Sequence, residues 1–164
     1  MFGVRLWSVR RARGMNAFYR GFERVLVRLH PLFKLLGYER LERPVAAVEQ
    51  AVKGLLFDCR MCGQCILSST GMSCPMNCPK SLRNGPCGGV RANGNCEIIE
   101  DMPCVWVQAF EGSRRIPGGV EAMSKVQFAV DQRQQGQSSW LRVAREKGCE
   151  KTGARSGGDP QAPA

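Results

Sequence analysis

Histidine is almost absent from this sequence, and that absence limits the chemistry the chain can support. One histidine, His30, occurs among 164 residues. Zinc sites that need two imidazole ligands are therefore excluded, and a catalytic Cys-His or Ser-His pair is disfavoured. The length also excludes a (β/α)8 barrel, because that fold needs roughly 250 residues.

Long apolar runs and export signals are missing as well. No stretch of about 18 apolar residues is present, so a membrane-spanning helix is not predicted. Four arginines (Arg5, Arg10, Arg11 and Arg13) interrupt every apolar stretch near the start. This pattern disfavours both a secretory signal and a twin-arginine signal. We therefore expect a cytoplasmic chain whose thiols stay reduced.

Positive charge is present in excess, and it is concentrated near the start of the chain. The net charge is +10, and residues 1–57 carry eleven basic and four acidic side chains, whereas residues 58–104 carry four of each. The arginine-rich segment could dock on a partner protein, form a solvated surface, or bind nucleic acid or an acidic membrane. The neutral charge of residues 58–104 argues against nucleic-acid binding, because metal-binding loops that contact nucleic acid are normally part of the basic surface.

Cysteine is the other feature present in excess. Eight of the nine cysteines lie between residues 59 and 104, in a segment with few large apolar side chains. Such a segment needs disulfides or bound metal to hold it together, and the reducing compartment favours metal. The candidate ligands are Cys59, Cys62, Cys65, Cys74, Cys78, Cys87, Cys96 and Cys104.

The cysteine spacing favours iron–sulfur clusters over zinc. Three thiolates in a C-x2-C-x2-C sequence, as at residues 59–65, can each reach a different iron of one cubane, whereas zinc more often takes C-x2-C pairs from two knuckles. Ferredoxins follow this spacing with a Cys-Pro, and here Cys74 and Cys78 both precede proline. Two 4Fe–4S clusters are the leading interpretation. Two alternatives stay open, namely one cluster with one zinc, or two zincs. The partition of the ligands between the two sites stays open too.

Apolar residues at spacings of three and four predict helices before the cysteine segment. One helix is predicted over 16–36, with a break or kink after His30 because Pro31 follows. A second is predicted over 44–56, with Pro44 at its first position. Its predicted apolar stripe consists of Val45, Val48, Val52, Leu55 and Leu56.

The rest of the chain is predicted to combine loops with short helices. Gly, Pro and Asn recur over 58–104, which predicts turns with at most short strands, such as one at 97–99. The apolar segment 105–111 is expected to pack back on the cysteine region. The remaining expectations are helices over 119–135 and 140–147, the latter capped by Ser138 or Ser139, and a disordered tail from Gly148.

These patterns predict a small, metal-stabilised, loop-rich cysteine domain flanked by α-helices, α with little β. The predicted parts are a basic helical segment over 1–44, the cysteine-rich domain over 45–141, and a helix end with a disordered tail over 142–164. The sequence GPCGGVRANG lacks the strand and spacing of a nucleotide-binding loop.

The cysteine segment also contains a long motif that is similar to a known family. Its elements are CxxCGxC at 59–65, CPMxCPKxLRNGPCGG at 74–89, GxCE at 94–97 and CVW at 104–106. They resemble the methylenetetrahydrofolate reductase C-terminal domain family, which includes MetV-type small subunits that contain iron–sulfur clusters or zinc. The resemblance covers roughly residues 45–141 and leaves the arginine-rich start unmapped.

This resemblance implies an electron-transfer or accessory subunit in one-carbon metabolism. In the family, the domain is fused behind a flavin-containing barrel or is a separate subunit, and the barrel reduces 5,10-methylenetetrahydrofolate to 5-methyltetrahydrofolate. The resemblance implies clusters on the eight cysteines that relay electrons to the partner's flavin. It places FMN or FAD and folate on that partner, with no catalytic residue in this chain. A further redox protein would supply the electrons.

Two other functions stay open. Two zinc ions would make the domain a structural cap that assembles or stabilises a partner, because zinc cannot carry electrons. A basic zinc-type nucleic-acid binder is the least favoured interpretation and predicts salt-sensitive binding. Lys80, Arg83 and Asn84 in the cysteine loops fit contacts with a partner or an anionic cluster, or ordinary solvated charge.

Overall fold

The computed structural model describes residues 2–151, and helices are the regular elements of that range. The helices are α1 (Phe2–Arg10), α2 (Ala12–Arg28), α3 (His30–Leu36), α4 (Tyr38–Phe57), α5 (Val105–Ser113), α6 (Gly119–Ser124) and α7 (Ser139–Lys151), with 3-10 turns at Pro75–Asn77 and Gln132–Gln134. β-Structure in the described residues is limited to two isolated bridges, Val90–Cys96 and Asn95–Pro103. The prediction of an α fold with little β is confirmed.

The N-terminal segment is helical, as predicted. Its helices begin before residue 16, and the break between them lies one residue before the predicted one. Residues 2–10 form α1, which the apolar spacing did not predict. The break lies at Leu29, before His30, and Pro31 belongs to the first turn of α3. Proline suits that turn because the backbone N–H that it lacks would have no hydrogen-bond partner in the first turn of any helix.

Helix α4 is longer than predicted. It begins at Tyr38, so Pro44 lies inside the helix, and its predicted place at the first position was wrong. Gly37, with φ +86°, separates α3 from α4, and a left-handed backbone of this kind favours glycine. The Tyr38 hydroxyl lies 2.6 Å from His30 Nδ1, which fixes the start of α4 against α3.

The buried face of α4 also differs from the predicted stripe. Val48, Val52 and Leu55 are exposed, whereas Glu49 and Lys53 are each 1% exposed. Residues 138–140 supply polar partners over this face. Hydrogen bonding therefore contributes, with apolar burial, to the orientation of the helix.

The segment between α4 and α5 consists mainly of turns and loops, as predicted. The strand expected at 97–99 does not form, because the N–H of Met102 donates to the Ile99 carbonyl within a turn, at 3.1 Å. Helix α5 packs back on the cysteine segment, as expected, with Val105, Trp106 and Ala109 buried.

The C-terminal predictions are only partly correct. The helix predicted over 119–135 ends at Ser124, because the Asn84 side chain holds the next segment: its amide group donates to the Gln127 carbonyl at 2.9 Å and accepts from the Gln127 N–H at 2.7 Å. Helix α7 forms, and the Ser138 hydroxyl caps it by accepting from the Leu141 N–H at 3.3 Å. It continues to residue 151, so the predicted tail does not begin at Gly148. Residues 152–164 lie outside the described range.

The main core joins the N-terminal helices to the cysteine segment. Its buried members are Ala12, Phe57, Leu67, Met72, Cys74 and Ile116, with Met15, Tyr19 and Cys65 among the partly buried side chains that pack on them. Across residues 2–151, every helix is too short or too polar to cross a bilayer. The cysteine segment therefore shares the main hydrophobic core of the chain.

Candidate metal centre

Four of the eight candidate cysteines line one small cavity. They are the three of the CxxCGxC motif, Cys59, Cys62 and Cys65, together with Cys74. Cys62 and Cys74 are buried, Cys59 and Cys65 are half-buried, and none of the eight cysteines between residues 59 and 104 forms a disulfide. Of the two Cys-Pro cysteines that could complete the first set, the structure brings Cys74 to it.

A tight loop after α4 places the first three thiols. The backbone is left-handed at Asp58 (φ 53°), Met61 (φ 48°) and Gly63 (φ 73°), so the chain forms tight turns directly after α4. The Met61 N–H points at Cys59 Sγ, at 3.4 Å. A Cβ at Gly63 would lie 2.5 Å from the Gln134 carbonyl oxygen. Glycine is therefore required there for both its backbone angle and this close approach.

Cys74 lines the same cavity from a later part of the loop segment. The preceding Ser73 donates its hydroxyl to the Val105 carbonyl at 3.0 Å, which anchors this stretch to α5. The 3-10 turn after Cys74 is anchored to the end of α4, because Asn77 Nδ2 donates to the Phe57 carbonyl at 2.9 Å. Two anchors thus hold Cys74 at the cavity that the first three cysteines line.

Burial raises the pKa of two of these thiols. The pKa of Cys59 rises to about 11 because of its burial, although the N–H of Met61 opposes the rise. The pKa of Cys74 rises to about 12, mainly through burial and then through the neighbouring Cys59 and Cys65 thiolates. Both are protonated at neutral pH without a ligand, so binding of a metal would release protons.

Two cationic side chains lie beside the four thiols. Lys53 and Arg83 line the same cavity. Arg83 Nη2 donates to the Gln64 carbonyl at 3.0 Å, while its buried Nε has no hydrogen-bond partner. Glu49 is the carboxylate among the lining residues. The positive charge of the wall exceeds its negative charge, which suits a thiolate-bound group that is itself anionic.

A buried polar network holds Lys53 in place. Its Nζ donates to Glu49 Oε1 at 2.6 Å and to Ser139 Oγ at 2.7 Å. Ser138 Oγ donates to Glu49 Oε2 at 2.6 Å. Burial lowers the pKa of Lys53, but the charges of Cys65, Tyr19 and Glu49 outweigh burial, so the net shift is upward. Lys53 therefore stays charged beside the cavity.

Sequence reasoning missed this network. Its signals are the Glu49-x3-Lys53 spacing, which places both side chains on one face of α4, and the two serines before α7. Both signals are also common on solvated helix surfaces and at helix caps, so neither alone indicates a buried network. The hydroxyl of Tyr19 adds a contact that no pattern predicted, since it donates to Cys65 Sγ at 3.4 Å.

The other four candidate cysteines are distributed differently. Cys104 and Cys78 pack in one cluster with Trp106 and Ala109, and Cys96 packs in another with Met102 and Val105. Cys87 is exposed, 3.8 Å from a Glu97 carboxylate oxygen. Two hydrophobic clusters and an exposed loop thus separate these thiols.

The four-cysteine cavity fits a thiolate-ligated anionic group. Its donors are sulfur atoms, its wall is cationic, and the Arg83 Nε has no partner. Among the residues that the structure describes, no three Cys, His, Asp or Glu side chains are grouped as a site for a metal ion. The identity of the metal and the ligand set of eight cysteines stay predictions.

Comparison with known proteins identifies the family. A family model described as methylene-tetrahydrofolate reductase C terminal matches residues 38–133, more than half of the chain. The chain belongs to this family. No curated protein and no solved structure matches it. The match of this methylene-tetrahydrofolate reductase C-terminal domain begins where α4 begins and includes all eight clustered cysteines, whereas α1–α3 precede it.

Proposed function

We propose that this chain is an iron–sulfur electron-transfer subunit of a methylenetetrahydrofolate reductase-type complex. The observation that carries the proposal is the cavity lined by Cys59, Cys62, Cys65 and Cys74 beside Lys53 and Arg83. Membership of the reductase family supports the type of complex. The four thiolates would hold a 4Fe–4S cluster, which exchanges single electrons when bound.

The surrounding residues have separate roles in this proposal. Lys53 and Arg83 offset the negative charge that four thiolates bring into a partly buried site. The N–H of Met61 and the hydroxyl of Tyr19 donate to cysteine sulfurs at 3.4 Å. Hydrogen bonds to sulfur and exclusion of solvent are two of the factors that set a cluster's reduction potential.

A second cluster on Cys78, Cys87, Cys96 and Cys104 is part of the proposal. Its support is the thiolate set left by the first site and its place within the family match. Cys78, Cys96 and Cys104 pack against residues of α5, whereas Cys87 lies in an exposed loop, so binding of this cluster would hold that loop near the helix. The iron content per chain distinguishes one occupied site from two.

The proposed partner is a flavin-containing reductase barrel. The support is again the family, since this chain has none of the sequence features of a flavin or folate site. Flavin and folate would be bound by the barrel, and a further redox protein would supply the electrons. This chain would then act as a relay and carry out no bond chemistry on the substrate.

Metal analysis after anaerobic purification tests the proposal. We expect about four iron and four sulfide per chain for one cluster, and about eight of each for two, with visible absorption that bleaches on addition of dithionite. Cys65→Ser should lose the first cluster, whereas Cys149→Ser, outside the cysteine segment, should keep the wild-type content. About two zinc ions and no colour would overturn the electron relay and leave a structural cap.

A further inference from the structure

Helix α1, which lies outside the family match, packs against α5 and against α4, which leads into the four-cysteine loop. Ser8 Oγ donates to the Leu56 carbonyl at 2.9 Å, near the end of α4. Arg115 Nη1, just after α5, donates to the Val9 carbonyl at 3.2 Å. Both Ser8 and Val9 are buried. These contacts hold α1 across the end of α4 that leads into Cys59.

This docking buries Arg5 beside the site. Arg5 is 3% exposed, and its Nη1 lies 3.9 Å from a carboxylate oxygen of Asp58. Its Nε and Nη2 are buried without a hydrogen-bond partner. Burial lowers the pKa of Arg5, and the opposing charges of Asp58 and a Cys74 thiolate do not cancel that shift.

A buried guanidinium with unpaired donors destabilises the folded chain unless a negative group compensates its charge. Leaving a charged side chain desolvated with unpaired donors opposes folding, and Asp58 is at the far limit of an ion pair. The thiols of the loop that follows Asp58 become negative when they bind a metal. With metal bound, Arg5 therefore has a negatively charged partner that the metal-free site lacks.

We propose that α1 delivers Arg5 as a fixed positive charge that stabilises the anionic group held by Cys59, Cys62, Cys65 and Cys74. This inference rests on the proposed function. It gives the N-terminal helices a role in the metal centre in addition to any contact with a partner. A one-electron reduction makes the bound group more negative, so a nearby cation favours the reduced form and raises the reduction potential.

Three variants test the role of Arg5. Arg5→Met keeps an unbranched side chain of similar length but removes the charge, Arg5→Lys keeps the charge, and Arg13→Met removes an exposed arginine at the start of α2. Each is purified anaerobically, and its midpoint potential is measured by dithionite titration with mediator dyes. We expect a more negative potential for Arg5→Met, a smaller shift for Arg5→Lys, and the wild-type value for Arg13→Met.

The rate of metal release is a second measurement, and it does not require a redox-active metal. The rate of metal release to excess EDTA should rise several-fold in Arg5→Met and stay unchanged in Arg13→Met. This measurement applies to a zinc-bound chain too, and circular dichroism confirms that each variant keeps its helices. Wild-type potential and wild-type release rate in a folded Arg5→Met protein would overturn the inference. Absence of iron and sulfide from the wild-type chain would instead overturn the proposed function.

Discussion

Residues 59–74 and residues 78–104 contain four candidate cysteines each, but the chain surrounds the two groups differently. The first group lies against α2, α4 and α5, and two of its cysteines pack in or on the main core. The second lies in loops, where Cys78, Cys96 and Cys104 pack in two smaller clusters beside α5 and the ion pairs Lys80–Glu97 and Arg91–Glu100 are at the surface. Exposed pairs of this kind stabilise little, so the first group is the better preorganised one.

Removal of the metal should have the largest effect, and it should fall mainly on the second group. Structural metal contributes directly to folding energy where the chain has little core of its own. We expect backbone amides over 78–104 to lose far more protection than those over 59–74. Hydrogen exchange with mass spectrometry, before and after chelation, measures both segments in one protein. Equal loss of protection in the two segments would contradict the comparison.

Disruption of the buried ion pair should be the most damaging single substitution near the first group. Lys53→Met leaves Glu49 desolvated without its cation, which costs about 3–5 kcal/mol. Urea unfolding followed by circular dichroism, at matched metal content, measures the change. Arg91→Met breaks the exposed pair with Glu100 and serves as the control, with an expected loss of at most about 1 kcal/mol. Similar losses in both variants would show that burial of the pair is unimportant.

A close contact between the loop of the first group and α5 should be the next most sensitive feature. Gly71 has φ +57°, and a Cβ there would lie 2.5 Å from the Ala109 carbonyl oxygen. Gly71→Ala should therefore destabilise the chain by about 1–3 kcal/mol, again measured by urea unfolding. Gly21→Ala in α2, where the space is open, should stabilise by up to about 1 kcal/mol. Loss of stability in both variants would attribute the effect to glycine replacement in general.

Local patterns predicted the elements whose stability is local. The helical character of 16–36, the helix leading to residue 56 and the loops over 58–104 follow from apolar spacing and from turn residues. The C-x2-C-x2-C spacing likewise belongs to three side chains that line one cavity, Cys59, Cys62 and Cys65. Their spacing in sequence is short, so the loop alone brings them together.

Features that depend on distant contacts could not be predicted in the same way. Helix α1 buries Arg5 and Ser8, which no amphipathic pattern marks as core residues. The choice of Cys74 over Cys78 depends on anchors to Val105 and Phe57. The end of the helix predicted over 119–135 depends on Asn84, which is far away in sequence. In each case a tertiary hydrogen bond or buried charge overrides the local preference.

The smallest expected effect concerns Asn84, which ties the second group to the segment after α6. Asn84→Ala removes both hydrogen bonds to Gln127, and we expect a loss of about 1 kcal/mol or less because the site is exposed. Hydrogen exchange should be faster over residues 125–131, with little change over 59–65. Asn84→Asp keeps the acceptor for the Gln127 N–H but loses the donor, so it should have an intermediate effect. Faster exchange throughout 59–74 would mean that the two cysteine groups are more tightly coupled than their surroundings indicate.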